Sequence, residues 1–168
     1  MKIKYTQESF EDHWGFINWK NKIVLDIGAD YGSTAECFIA YGASKVFASE
    51  GDEKLYSQLV QYAKGKPNII PSKKWIQNPN DFIDLFNKFK DSKIDIYKID
   101  CEKAEIYLLD ISNDMLRSIK EYAIECHTPD ILSKISNKFK SAGFEIKNTK
   151  FIGTNLGIPV YVIHTIRK

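Results

Sequence analysis

Residues 23–32 read Ile23-Val24-Leu25-Asp26-Ile27-Gly28-Ala29-Asp30-Tyr31-Gly32, and residues 45–50 read Lys45-Val46-Phe47-Ala48-Ser49-Glu50. These two stretches and the segment between them decide the fold. The first is a short aliphatic run closed by Gly28, the pattern of a buried strand. Residues 33–40 carry a helical pattern that stops near Gly42, and residues 45–50 form a second strand. Strand, helix and strand in such short order make a β-α unit of a largely parallel sheet.

The same alternation continues downstream. Residues 52–64 place Leu55, Leu59, Tyr62 and Ala63 on one helical face, and Gly65 and Pro67 end it. Residues 68–70 form a brief third strand, and residues 81–90 carry the stripe Phe82, Leu85, Phe86 and Phe89. Residues 94–99 are the fourth strand, residues 104–120 are helical with a break near Ser112-Asn113, and residues 122–126 are the fifth strand. Thr128-Pro129-Asp130 starts the last helix with a capping hydroxyl, a first-position proline and a first-turn acid. Residues 144–152 and 158–166 are final strands joined by Gly153-Thr154-Asn155-Leu156-Gly157. That connection is too short for a crossover helix, so these two strands pair antiparallel. Upstream, residues 6–19 read as a leading amphipathic helix.

The expected architecture is α/β: a seven-stranded, mostly parallel sheet with helices on both faces and a C-terminal antiparallel hairpin. It is one domain over residues 1–168, with a leading helix (1–20), a core (23–127) and a last helix with the hairpin (128–168). A ligand belongs beyond the carboxyl ends of the strands, where the strand order reverses around the first strand.

Composition bounds the function classes. The 168 residues are 43% apolar and 27% charged, with 9 Gly and 5 Pro, which excludes collagen-like and disordered readings. Net charge is +2, and only Arg117 and Arg167 among the 24 cationic residues are arginine. The guanidinium forks that read phosphate or guanine are nearly absent, so composition gives nucleic acid no support. Cys37, Cys101 and Cys126 are an odd, widely spaced set without C-x-x-C, which indicates neither a disulfide framework nor a zinc knuckle. No apolar run approaches the ~18 residues of a membrane span. A soluble, reducing, cytoplasmic setting without membrane contact is the expectation.

The chemistry-bearing residues cluster at strand ends. Asp26, Gly28, Asp30 and Gly32 form D-x-G-x-x-x-G on the loop that opens the first β-α helix. Gly28 permits close backbone approach, and Gly32 lets the helix N-terminus come near a ligand. Glu50 closes the second strand, where a carboxylate can accept both hydroxyls of a ribose. Asp30 stands where a dinucleotide fingerprint has its second glycine, and its charge would repel a pyrophosphate. An acidic loop suits a nucleoside ligand without phosphate and with positive charge. S-adenosylmethionine, a sulfonium with an ammonium group, fits that description.

The loop with Glu50 resembles the first two motifs of the class I S-adenosylmethionine-dependent methyltransferases. Tyr97-Lys98-Ile99-Asp100-Cys101-Glu102-Lys103-Ala104-Glu105 is similar to the K-I-D-V-E-G-A-E segment of the FkbM-like methyltransferases. Tyr122-Ala123-Ile124-Glu125-Cys126-His127 resembles that family's next strand, which ends in E-x-H. The matches span roughly residues 23–127. Lys103 departs from the family's glycine and Asp30 from its common asparagine. The resemblance implies a Rossmann-like fold and S-adenosylmethionine as cofactor. It places Asp26, Gly28, Asp30 and Gly32 along the methionine moiety, Glu50 on the ribose and Trp75 near the adenine.

Asp100, Glu102, Glu125 and His127 end the fourth and fifth strands and can face one cleft. Methyl transfer is an in-line displacement that needs positioning, plus a base when the acceptor is a hydroxyl. Asp100, Glu102 and His127 are the candidate catalytic residues, with His127 or Asp100 taking the proton. A divalent cation held by these carboxylates is a further option, but no metal ligand is assigned. Glu105 reads as support for the helix start. Cys101 and Cys126 read as buried thiols, and His13 and His164 as structural. The segment after the fourth strand lacks the Asn/Asp-Pro-Pro-aromatic run of base-nitrogen methylation. The expectation is therefore methylation of an oxygen on a small molecule or glycan. An RNA methyltransferase and an S-adenosylmethionine-binding module without catalysis are the rivals. The expected cleft is acidic, and the lysines lie outside it.

Overall fold

The computed structural model describes residues 9–168, and all that follows concerns them. Its strands are β1 (Ile23–Ile27), β2 (Lys45–Glu50), β3 (Ile69–Lys73), β4 (Ile96–Ile99), β5 (Glu121–Cys126), β6 (Phe144–Asn155) and β7 (Ile158–Arg167). They form one seven-stranded sheet in the order β3-β2-β1-β4-β5-β7-β6. Strands β1 to β5 pair in parallel, and β7 runs antiparallel to both β5 and β6. The expected Rossmann-like sheet with a terminal hairpin is the observed one.

Alternation along each strand divides the core in two. Leu25 and Ile27, Tyr97 and Ile99, and Tyr122 and Ile124 face α4 (Pro79–Phe89), a 3-10 helix over Ala104–Asp110 and α6 (Pro129–Ser141). Val24, Val46, Ala48, Ile96 and Ala123 face α2 (Ser33–Ala40), α3 (Glu53–Tyr62) and the indoles of Trp14 and Trp19. A period of two therefore puts Asp26 and Lys98 on the second face, among apolar neighbours.

Four elements differ from expectation, each for a local reason. Residues 1–8 of the expected leading helix lie outside the described residues, and of residues 9–20 only α1 (Phe10–His13) is α-helical. The chain then folds back at Gly15, and Trp19 Nε1 donates to the Trp14 carbonyl at 2.9 Å, so burial of two indoles outweighs continuation of the helix. Helix α4 starts earlier than the phenylalanine stripe, because Asn78 and Asp81 close a capping box with Pro79 in the first turn. Residues 104–120 break at Ser112 as expected, its hydroxyl capping α5 (Asn113–Arg117), but the first piece is a 3-10 rather than an α-helix. The final hairpin is tighter than five residues: Asn155 pairs with Ile158, leaving Leu156 and Gly157 as the turn. Both have positive φ, 49° and 79°, as a two-residue type I′ turn requires.

Candidate active site

The chain runs outward from β1 through β2 to β3, then crosses back to β4 on the other side of β1. The loops leaving β1 and β4 therefore diverge, and a crevice opens between them. It is a cleft of about 920 Å³ lined by Gly28, Asp30, Glu50, Trp75, Asp100 and Glu102, among others. Six of the nine residues assigned a catalytic or cofactor-binding role from sequence thus meet in one cavity. Asp26, Gly32 and His127 stand behind its wall.

Asp26 lies beneath the floor, fully buried, and pairs with Lys98. Lys98 Nζ is 2.9 Å from Asp26 Oδ1 and 3.5 Å from Asp100 Oδ2, and it donates to the Gly28 carbonyl at 2.8 Å. One buried cation thereby ties the end of β4 to the loop after β1. Burial pushes the Asp26 carboxyl up to about 6 against the pull of Lys98. Asp26 supports the glycine loop from beneath and is not among the residues that line the cleft.

Gly28 and Gly32 need their glycines for different reasons. At Gly28, φ is +79°, and an added Cβ would lie 1.7 Å from the Asp100 carbonyl oxygen. The β1 and β4 loops touch there through bare backbone. At Gly32, φ is +101°, and a Cβ would meet Leu59 and Tyr62 of α3 at 2.9 and 3.0 Å. Gly32 lets α2 pack on α3, and the first residues of that helix, Ser33 and Thr34, line the cleft.

Glu50 is held by backbone. Its Oε2 accepts from Asp30 N at 2.9 Å, and its Oε1 accepts from Gly51 N and Asp52 N at 2.7 and 2.8 Å. A carboxylate has about four acceptor directions, so these bonds leave room for roughly one hydroxyl. They also fix its orientation and lock it to the glycine loop. Asp30 itself has its carboxyl raised by burial and by the nearby Glu50 charge, with the Tyr31 amide pulling the other way. Lys74 lines the same cleft, but its ammonium is spent on Asp81 and Asp84 at 2.7 and 2.9 Å. The cleft is left acidic. Trp75 stands at its side, 53% exposed.

The second constellation forms where β4 and β5 end. His127 is buried, with Nδ1 2.8 Å from Glu105 Oε1, and its backbone N–H donates to the same oxygen at 3.1 Å. Its Nε2 lies 3.5 Å from Glu125 Oε1 and 3.7 Å from both Asp100 Oδ1 and Glu102 Oε2. Burial alone would lower the imidazole pKa. The Glu105 hydrogen bond, with the charges of Glu105, Asp100 and Glu125, outweighs it and raises the value to about 9. A raised imidazole pKa favours the protonated ring near neutrality and so argues against His127 as the base. Asp100, which faces the cleft, is the better placed of the two expected bases.

Glu102 and Lys103 follow with φ of 50° and 77°. Lys103 occupies a left-handed position that favours glycine, at a point where the resembled family has one. Lys103→Gly is expected to raise stability by a few tenths to about 1 kcal/mol, as relief of the left-handed strain exceeds the added chain entropy. Chemical denaturation of the two proteins measures this directly, and a loss of stability would contradict it.

Two residues gain roles that the sequence reading did not give them. Lys98 is one: a lysine inside an apolar parallel strand signals a buried counter-charge. Glu105 supports His127 rather than only the helix start. His164, read as structural, has a partner: its Nε2 is 2.7 Å from Glu121 Oε1, and Lys22 Nζ is 2.6 Å from Glu121 Oε2. Burial raises the thiol pKa of Cys37, Cys101 and Cys126, so none is primed as a nucleophile.

No protein-family model and no curated protein matches the sequence. Solved structures share the fold. Fibrillarin from Aeropyrum pernix with natively bound S-adenosyl-L-methionine superposes with TM-score 0.68 at 14% identity, over 89% of this chain and 69% of that one. Magnesium protoporphyrin IX methyltransferase from Synechocystis, with bound cofactor, gives 0.60 at 16% identity, over 90% and 72%. A protein of the NADB-Rossmann superfamily from Streptococcus agalactiae gives 0.69 at 14% identity, over 99% and 70%. At these identities the likeness is one of fold.

Proposed function

We propose that the protein is an S-adenosylmethionine-dependent methyltransferase of FkbM-like type that methylates an oxygen of a small molecule or glycan in the cytoplasm. The observation that carries this reading is the acidic crevice at the strand-order reversal, with Glu50 held there by three backbone N–H groups. Its donor set fits the cofactor. Carboxylates suit an ammonium, a sulfonium and ribose hydroxyls, and they disfavour the phosphates of a dinucleotide. The cofactor-bound neighbours of like fold support the same reading. Three free thiols agree with a reducing compartment, and no helix among the described residues is long and apolar enough to cross a membrane.

Bound S-adenosylmethionine supplies an electrophilic methyl group for in-line displacement. The chain's own residues bind, orient and manage a proton. Glu50 accepts from a ribose hydroxyl, Asp30 offsets positive charge and Trp75 offers a wall for the adenine. Asp100 accepts the proton that the acceptor hydroxyl gives up, and Glu102 flanks the same opening.

Calorimetric titration with S-adenosylmethionine tests the reading. Wild-type protein is expected to bind one equivalent. Glu50→Gln keeps the shape but loses the charged acceptor, and is expected to weaken binding about ten- to hundredfold. Absence of binding at millimolar ligand, or an unchanged affinity in Glu50→Gln, would overturn it.

A further inference from the structure

We propose that Asp100, Glu125 and His127 form a seat for one borderline divalent cation, of the Mn2+ or Zn2+ class, at the edge of the cleft. One ligand atom from each residue lies within 4.8 Å of the other two. The two spacings at His127 Nε2 are those of co-ligands, and the set, which lies within 4.8 Å, must draw in slightly to hold one ion. Two ligands each about 2.1 Å from one ion, at a tetrahedral angle, lie about 3.4 Å apart. His127 Nε2 is 3.5 Å from Glu125 Oε1 and 3.7 Å from Asp100 Oδ1. A cation seated there would take the place of the Nε2 proton.

A second observation is the back of the imidazole. The His127 side chain is 3% exposed, and its Nδ1 sits 2.8 Å from the fully buried Glu105 carboxylate. A metal-binding histidine is characteristically oriented by such a carboxylate on its far nitrogen, which presents the other nitrogen to the ion. Here the far nitrogen is fixed and Nε2 is aimed into the carboxylates. Asp100, Glu102 and Glu125 all approach Nε2 from the cleft side, opposite the Glu105 carboxylate.

The donor set chooses the class of ion. One imidazole with two carboxylates suits Mn2+ or Zn2+ better than Ca2+ or Mg2+, which prefer all-oxygen sites. The site is open on one side, since the Asp100 side chain is 26% exposed and that of Glu102 is 81% exposed. Water or an acceptor oxygen can complete the coordination there. Polarising that oxygen would be the ion's use, a role that rests on the function proposed above; the binding does not.

The test uses the full chain without S-adenosylmethionine. Mn2+ titration followed by loss of the free-ion paramagnetic resonance signal is expected to show one saturable site. Asp100→Asn and Glu125→Gln should each weaken it at least about tenfold, and Glu105→Gln by about ten- to hundredfold through misorientation of the ring. In the wild-type protein, Zn2+ should shift the ¹⁵N resonance of His127 Nε2 while Nδ1 keeps its proton, with His13 and His164 unmoved. That measurement needs no variant to fold. Absence of saturable binding at millimolar Mn2+ and Zn2+, or binding that leaves the His127 ring unshifted, would overturn the assignment. Cation binding without S-adenosylmethionine binding would sink the proposed function and leave the cation seat standing; the reverse would sink only the seat.

Discussion

Lys98→Met is expected to destabilise the fold by about 3–5 kcal/mol at pH 7.5, the usual cost of breaking a buried ion pair from one side. Methionine fills most of the same volume, so the loss is electrostatic rather than a cavity. Asp26 would remain fully buried without the ammonium now 2.9 Å away, and the Gly28 carbonyl would lose its 2.8 Å donor. The penalty should depend on pH with a definite sign. Burial already raises the Asp26 carboxyl to about 6, and removing Lys98 takes away the group that opposes that rise. Between the ordinary carboxylate value and the raised one, the folded state binds more protons than the unfolded state. Stability of the variant must therefore fall, relative to wild type, as pH rises through that window. Urea denaturation at pH 5 and pH 7.5 should show the smaller deficit at pH 5. Adding Asp26→Asn to the variant should recover part of the loss. A deficit independent of pH would mean that Asp26 and Lys98 are not coupled as described.

Gly28→Ala is expected to cost about 3 kcal/mol or more, a large share of the 5–15 kcal/mol that holds a typical domain together. Two effects add. The left-handed backbone costs a non-glycine residue about 1–2 kcal/mol. The new methyl would also sit 1.7 Å from the Asp100 carbonyl oxygen, and that backbone is tied down by the Asp100 N–H bond to the Ile27 carbonyl at 3.0 Å. Gly65→Ala separates the two. Its φ of +76° is nearly the same, but nothing lies within 4 Å of the added carbon, so only the conformational cost of about 1–2 kcal/mol should appear. Thermal or urea unfolding of the pair measures the difference. Equal losses at the two positions would show that the β1 and β4 loops do not meet as closely as described.

Much of this arrangement is legible in the sequence because its signals are local. The aliphatic run Ile23–Ile27 closed by Gly28 has few alternatives to a buried strand, and Thr128 with Pro129 states where α6 begins. Glu50 is visible because it ends the strand after the glycine loop. What the sequence hides is set by contacts between distant residues. The leading segment carries a helical apolar pattern, yet tertiary burial of Trp14 and Trp19 ends the helix after one turn. The reason for Gly32 lies on α3, at Leu59 and Tyr62. His127 looks like a base when read along the strand. Only the fold brings Glu105 against its Nδ1 and so charges the ring.

The central claim is that the crevice between the β1 and β4 loops is the S-adenosylmethionine site. Titration of ¹⁵N-labelled protein with S-adenosylmethionine, followed by amide chemical shifts, tests it most directly. The account predicts saturable shifts concentrated at residues 28–34, 50–52, 74–77 and 100–104, with the β6–β7 hairpin unmoved. Shifts absent at millimolar ligand, or concentrated away from those four segments, would contradict it.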